Sequence, residues 1–219
     1  MAAGRRERAF VLTGGALCLD FANTLGDRPR CHEERLGDYQ DLLAWARQAG
    51  ALPPSGAEAL GREARRRPSL ARIAFEGAVL LRERLYAIFA ALARGRPPPR
   101  GELEGLNRTL AGALGRLRVV RRRDGFGWSW AEGTPSLERM LWPVARSAAD
   151  LLTSEEAGLL RECASDDCSW LFVDRSRTRR RRWCNMLTCG NRNKARRHYR
   201  RLRARAAVSS RRSPKAPPG

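Results

Sequence analysis

The chain has 219 residues, 42% hydrophobic and 30% charged, with six cysteines and a formal charge of +20. This content is enough for a packed core and excludes a disordered chain, and the length suits one ordinary domain plus a small one. The charge is local: residues 170–219 hold 17 Lys+Arg and one acid, net +16, leaving 26 basic and 22 acidic residues upstream, net +4.

In chain order, Arg5, Arg6 and Arg8 precede a mildly apolar stretch that imitates a signal peptide, but Gly14-Gly15 weaken it and Asp20 ends it. No run reaches the roughly eighteen apolar residues that span a bilayer, so a cytoplasmic protein without a membrane partner is expected. Val11-Leu12 and Leu17 to Phe21 read as buried segments around the Gly-Gly turn. Asp38 to Gln48 reads as a helix with Tyr39, Leu42, Leu43 and Ala46 on one stripe and Gly50 to end it. Ser55 and Glu58 suggest a capping box. From Ser69 the longest periodic stretch predicts a central helix facing inward through Leu70, Ile73, Gly77, Leu80, Leu81, Leu85, Ile88, Phe89 and Leu92.

Gly95 to Gly101 is an extended connector before a helix through Leu103, Leu106, Leu110 and Leu114. Asp124-Gly125 predicts a hairpin near 117–131. Pro135 to Leu152 is helical by pattern, with Pro143 expected to kink or divide it. Thr153 and Glu156 suggest a capped last helix leading to Cys163.

Four cysteines then form two pairs, Cys163/Cys168 and Cys184/Cys189, each with four intervening residues and with fifteen between the pairs. Tetrahedral Zn²⁺ bound by four thiolates at about 2.3 Å needs each pair on a tight turn, which such spacing permits. Disulfides and an iron–sulfur cluster are the alternatives. Trp170 to Asp174 has strand composition, Arg175 to Thr178 can turn and Arg180 to Cys184 can return, so a hairpin is expected between the pairs. A helix starting beyond Cys189 would complete a treble-clef-like finger.

Two stretches resemble known families. Arg182-Trp183-Cys184, Met186 and Cys189-Gly190-Asn191-Arg192 with Lys194 resemble the CGNR zinc finger, found at the C-terminus of bacterial transcription regulators. The resemblance extends upstream through Cys163-Ala164, Cys168, Trp170-Leu171-Phe172 and Asp174-Arg175-Ser176. Asn185 departs from the family's more usual serine. Leu17-Cys18-Leu19-Asp20-Phe21-Ala22-Asn23-Thr24-Leu25, followed by Leu36, Tyr39, Leu42-Leu43 and Trp45-Ala46, resembles the opening of the ABATE domain, which commonly precedes that finger. The resemblance implies zinc and DNA binding but no reaction.

The expected architecture is mainly α with a small β component (α+β). A helical domain occupies residues 1–160, a zinc finger with a β-hairpin and helix 161–207, and a disordered basic tail 208–219. Cys163, Cys168, Cys184 and Cys189 are the candidate Zn²⁺ ligands. On the last helix Ala195, Tyr199, Leu202 and Ala206 form an apolar docking stripe, while Asn193, Arg197 and Arg200 point away, with Arg196 and Arg201 beside them. With Arg192, Lys194 and the hairpin's Arg177, Arg179, Arg180 and Arg181, these are candidate nucleic-acid contacts. Asn191 is expected to cap the helix or donate to a cysteine sulfur rather than touch a base. Trp170, Phe172 and Trp183 are expected to form the finger's small core.

Cys18, Asp20, Asn23 and Thr24 could line a small-molecule pocket, although a buried Cys18 and turn-capping Asp20 or Asn23 would also fit. Cys31-His32 has no geometric force. No phosphate-cradling glycine motif, nucleophile elbow or spaced carboxylate pair points to an enzyme. The leading reading is a DNA-binding transcription regulator whose first domain senses a ligand or mediates assembly. RNA binding or nucleoid association without selectivity is the alternative, and an enzyme with its site near Cys18 to Thr24 is a third.

Overall fold

The computed structural model describes residues 9–28, 30, 32–131 and 136–212, with side chains to residue 203. The chain divides into two units, Met1–Cys184 and Asn185–Gly219. Cys31 and the end of the tail lie outside the described residues.

In the first unit, Leu17–Ala22 forms a short helix, α1, entered through Gly15 at φ +83°. Leu17 to Phe21 is buried in part as expected, but Val11 and Leu12 are about two-fifths exposed. Leu25–Gly26 (β1) pairs antiparallel with Glu33–Glu34 (β2). The helix Tyr39–Gln48, α2, starts where Asp38 Oδ1 accepts from the backbone N–H of Gln40 and Asp41 at 2.9 and 3.0 Å, and Gly50 at φ +72° follows its end. The next helix, Pro54–Arg66 (α3), begins on a proline with no side-chain cap, so the expected Ser55/Glu58 capping box does not form. Proline at a helix start has already given up an N–H that would lack a partner there.

The central helix, Pro68–Ala93 (α4), is about 39 Å long at 1.5 Å per residue. Its C-terminal half buries Leu81, Leu85, Ile88 and Phe89 as the periodicity predicts. Its N-terminal half does not. There Ala71, Ala74 and Ala78 face inward, while Leu70, Ile73 and Leu80 are 48%, 56% and 50% exposed. Small alanines admit a close neighbouring backbone, so the bulkier flank is left outside.

Helix Arg100–Leu114 (α5) follows the proline connector, and the predicted hairpin is present as Leu117–Arg122 (β3) and Gly125–Trp130 (β4). The helix Leu141–Leu152, α6, starts late enough to put Pro143 in its first turn, so Pro143 neither kinks nor divides it. The expected capped helix after Thr153 is a single 3₁₀ turn, Glu155–Leu159, because Thr153 Oγ1 donates back to Ala149 O at 2.9 Å instead of capping forward.

Leu160–Glu162 (β5) and Leu171–Val173 (β6) pair antiparallel, Leu160 opposite Val173 and Glu162 opposite Leu171. The hairpin is therefore made with the segment before Cys163, and the connection between its strands carries Cys163 and Cys168. The expected return strand, residues 180–184, forms none, and Arg182 O accepts from Ala164 N–H at 2.8 Å.

The free edge of β6 is covered by the N-terminal segment. Asn23 Nδ2 donates to Leu171 O and Asn23 Oδ1 accepts from Leu171 N–H, both at 2.9 Å and both buried, and Val173 N–H donates to Gly14 O at 2.9 Å. One side-chain amide thus imitates a neighbouring strand. Leu160, Leu171, Phe172 and Val173 are at most 3% exposed.

Beneath this junction Arg82, 2% exposed, donates to both oxygens of Glu34 at 2.7 Å and to Glu83 at 2.9 Å, and Arg28 pairs with Glu83 from the other side. Burial works against the two carboxylates, but hydrogen bonds from Arg82 and Arg28 outweigh it and hold both below the ordinary range.

The second unit is one wide π-helical turn, Met186–Gly190, running into the helix Asn191–Arg212, α7. The described residues are mainly helical with three small antiparallel pairs, the α+β class read from the sequence. Among the described residues no helix is long and apolar enough to cross a membrane.

Candidate metal centre and basic surface

The β5–β6 connection brings Cys163 and Cys168 together, Cys184 arrives from the chain beyond β6, and Cys189 sits in the turn before α7. Their sulfurs all lie within 4.8 Å of one another, and each residue is 9% exposed or less. Cys168 Sγ and Cys184 Sγ are 3.8 Å apart, the edge of a tetrahedron with arms of about 2.3 Å. These cysteines are free thiols, not disulfides.

Backbone N–H groups of Ser165 and Cys184 hydrogen-bond Cys163, and that of Trp170 bonds Cys168. Hydrogen bonds from Cys168 and Cys184 lower the Cys163 pKa, and the two donors are correspondingly held as thiols. Four crowded thiolates need a cation to coexist, so buried sulfurs at tetrahedral spacing fit Zn²⁺. Held by these four ligands, the ion would supply folding energy and leave no position for substrate water.

Supporting contacts fall on residues that the pattern assigned elsewhere. A side-chain nitrogen that donates to a sulfur is Arg192 Nη2, to Cys189 Sγ at 3.2 Å, whereas Asn191 Nδ2 donates to Leu187 O at 3.2 Å. Asn193 Nδ2 donates to Cys189 O at 2.9 Å. Asn185, the departure from the family's serine, caps the turn: its Oδ1 accepts from Leu187 N–H at 2.8 Å. A Cβ on Gly190 would lie 2.4 Å from the Met186 sulfur, so any larger residue there would have to displace that side chain.

Asp174 was not singled out as a site residue. It is fully buried, and its carboxylate accepts from Ser176 N–H at 3.0 Å, Ser176 Oγ at 2.6 Å and Arg181 N–H at 2.9 Å. Burial would raise its pKa, but these bonds hold it below the usual range. The Asp-x-Ser spacing of an Asx turn is the signal that could have found it.

The candidate nucleic-acid residues divide by environment. Arg177, Arg179 and Arg180 are exposed, while Arg181 is half-buried, donating from Nε to Trp183 O at 2.8 Å and from Nη2 to Cys184 O. On α7, Lys194, Arg197, Arg200 and Arg201 are exposed, and Asn193 and Arg196 are half-buried. The expected docking stripe is not covered: Tyr199 and Leu202 are 66% and 46% exposed and Ala195 is exposed. The Ala206 side chain lies outside the described residues. Trp170 and Phe172 are buried, Trp183 half-buried.

Cys18, Asp20, Asn23 and Thr24 come together, each with protein around it. Cys18 is wholly buried and its thiol is pushed up to about 12 by that burial. Asp20 Oδ1 accepts from Gly14 N–H at 2.8 Å, Asn23 holds β6, and Thr24 Oγ1 donates to Phe21 O at 2.8 Å. None of the four lines the 470 Å³ groove between α2 and α3 or the 410 Å³ groove among α4, α5 and α6.

Residues 15–155 match the ABATE family, described as "Putative stress-induced transcription regulator", and residues 160–202 match the CGNR zinc finger. Neither is a family of enzymes. No curated protein matches the chain.

Proposed function

The chain belongs to the ABATE family and carries a CGNR zinc finger after that domain, and from this premise we propose that it is a zinc-dependent, DNA-binding transcription regulator of the cytoplasm. In this reading the N-terminal domain senses a small-molecule effector or mediates assembly. The observation that carries it is the position of Cys189, which belongs to the thiolate cluster and stands two residues before α7. Metal binding thereby fixes the start of a helix whose Lys194, Arg197, Arg200 and Arg201 are exposed. Arginine can fork onto phosphate or read guanine bidentately in the major groove.

The test is selection of genomic fragments by zinc-loaded protein at physiological salt. Recovery of a shared sequence supports a regulator. Uniform recovery, with equal retention of RNA, supports the alternative of unselective RNA binding or nucleoid association. An enzyme centred on Cys18 to Thr24 draws no support from their surroundings, because their described polar groups are engaged with the protein itself.

A further inference from the structure

Residues 175–182 contain six arginines. Three are fastened. Arg175 pairs with Glu156 and donates from Nη1 to Gly15 O at 2.9 Å. Arg181 donates to the carbonyls of Trp183 and Cys184 and lies 4.4 Å over the Phe172 ring, and Arg182 lies 5.5 Å over Trp183. The other three, Arg177, Arg179 and Arg180, are exposed and have no side-chain partner among the described residues.

The loop holding those three is closed on itself. Asp174 receives Ser176 at one end and Arg181 N–H at the other, and Arg179 N–H donates to Ser176 O at 3.1 Å. Arg179 itself sits at φ +50°, a left-handed conformation that a non-glycine residue adopts only when its surroundings impose it. Asp174 N–H is fixed to Leu159 O at 2.9 Å, so the anchor belongs to the β5–β6 core. The loop is thus shaped by its backbone, and it carries three exposed arginines within four residues.

We propose that this loop is a preformed contact for the nucleic-acid phosphate backbone, made by Arg177, Arg179 and Arg180, and that Asp174 is its positioning residue. The inference rests on the DNA-binding reading above and adds which arginines touch phosphate, which do not, and what sets their spacing. A polyanion relieves the repulsion among the three charges, and a loop already closed loses little freedom on binding. Arg175, Arg181 and Arg182 are structural and stay out of the interface.

The test measures binding of the full zinc-loaded chain to a labelled random-sequence duplex across about 50 to 200 mM salt. The triple variant Arg177→Gln, Arg179→Gln, Arg180→Gln should lower the slope of log affinity against log salt by about 0.9 for each phosphate it ceases to neutralise. Arg181→Gln should leave the slope unchanged. Asp174→Asn gives opposite signs for the two explanations. It removes a negative charge, so a role through net charge alone predicts tighter binding. A positioning role predicts about tenfold weaker binding with the slope retained and zinc content unchanged. Equal or tighter binding by zinc-replete Asp174→Asn would overturn the proposal.

Should Asp174→Asn lose zinc, Ser176→Ala decides, since it removes one of the three bonds without changing charge. Weaker binding at constant slope supports the loop, and unchanged affinity overturns it. Failure of the wild-type chain to bind any duplex would instead remove the DNA-binding reading itself.

Discussion

Replacing Asn23 by alanine separates a structural role for the Cys18 to Thr24 segment from a ligand-binding one. The substitution removes two buried hydrogen bonds and leaves Leu171 N–H and C=O facing a dry gap, since the other edge of β6 is already paired with β5. A buried backbone group without a partner costs about 1–3 kcal/mol, so two such groups cost about 2–6 kcal/mol. Against a total stability of about 5–15 kcal/mol this is a large fraction. At about 2–4 °C per kcal/mol for a chain of this size, a loss of 3 kcal/mol lowers Tm by about 6–12 °C.

Thermal unfolding of zinc-loaded protein, with zinc release to a chelator followed in parallel, reads both ends of the junction, because Leu171 is three residues from Cys168. Asn23→Asp should be no better than alanine: it keeps an acceptor for Leu171 N–H but sets a carboxylate against Leu171 O. A Tm within about 1 °C of wild type for both variants, less than 0.5 kcal/mol, would show that the amide does not hold the strand.

Other outcomes follow from the same geometry. Cys168→Ser should lose the one equivalent of zinc per chain and also lower the stability of the first unit, read by elemental analysis and urea unfolding, since β6 lies in that unit's core. Arg192→Ala should speed zinc loss to a chelator about 10–100-fold without changing stoichiometry, because it removes the guanidinium donor to Cys189 Sγ. Arg82→Ala should cost about 3 kcal/mol in urea unfolding, the low end for a broken buried pair because Glu34 and Glu83 are two-fifths exposed. Because the folded pKa values of Glu34 and Glu83 are depressed, the stability they contribute is present above the unfolded value of about 4.3 and is lost as pH falls through the folded values. Arg82→Ala should therefore flatten the acid limb of a stability–pH profile. Cys18, a protonated thiol without exposure, should resist alkylation at pH 8 in folded protein and react on unfolding, read by mass spectrometry.

The ligand set was legible because sulfur spacing around a metal is a local constraint, and so were Gly50 as a helix end and Asp124-Gly125 as a turn. Partner choice was not local. Strand composition at Leu171–Val173 says nothing about whether the pairing strand comes before or after it, and the nearer-looking return segment forms no strand. Asn23 read as a turn former because its partner lies 148 residues away. On α4, large apolar residues marked a face, but close helix packing favoured Ala71, Ala74 and Ala78. Among the arginines, only the surroundings divide Arg177, Arg179 and Arg180 from Arg181 and Arg192, which are occupied in supporting the finger.

The same separation along the chain sets an order of events during synthesis. At about 5–20 residues per second, Asn23 is made about 7–30 s before Leu171 exists to receive it. Through that interval α1 has no strand to cover, and the core that Leu160, Leu171 and Val173 complete stays open. The last contacts of the N-terminal half are therefore made after translation of the hairpin whose connection carries Cys163 and Cys168. The beginning of the chain thus remains unfinished until Leu171 has been made.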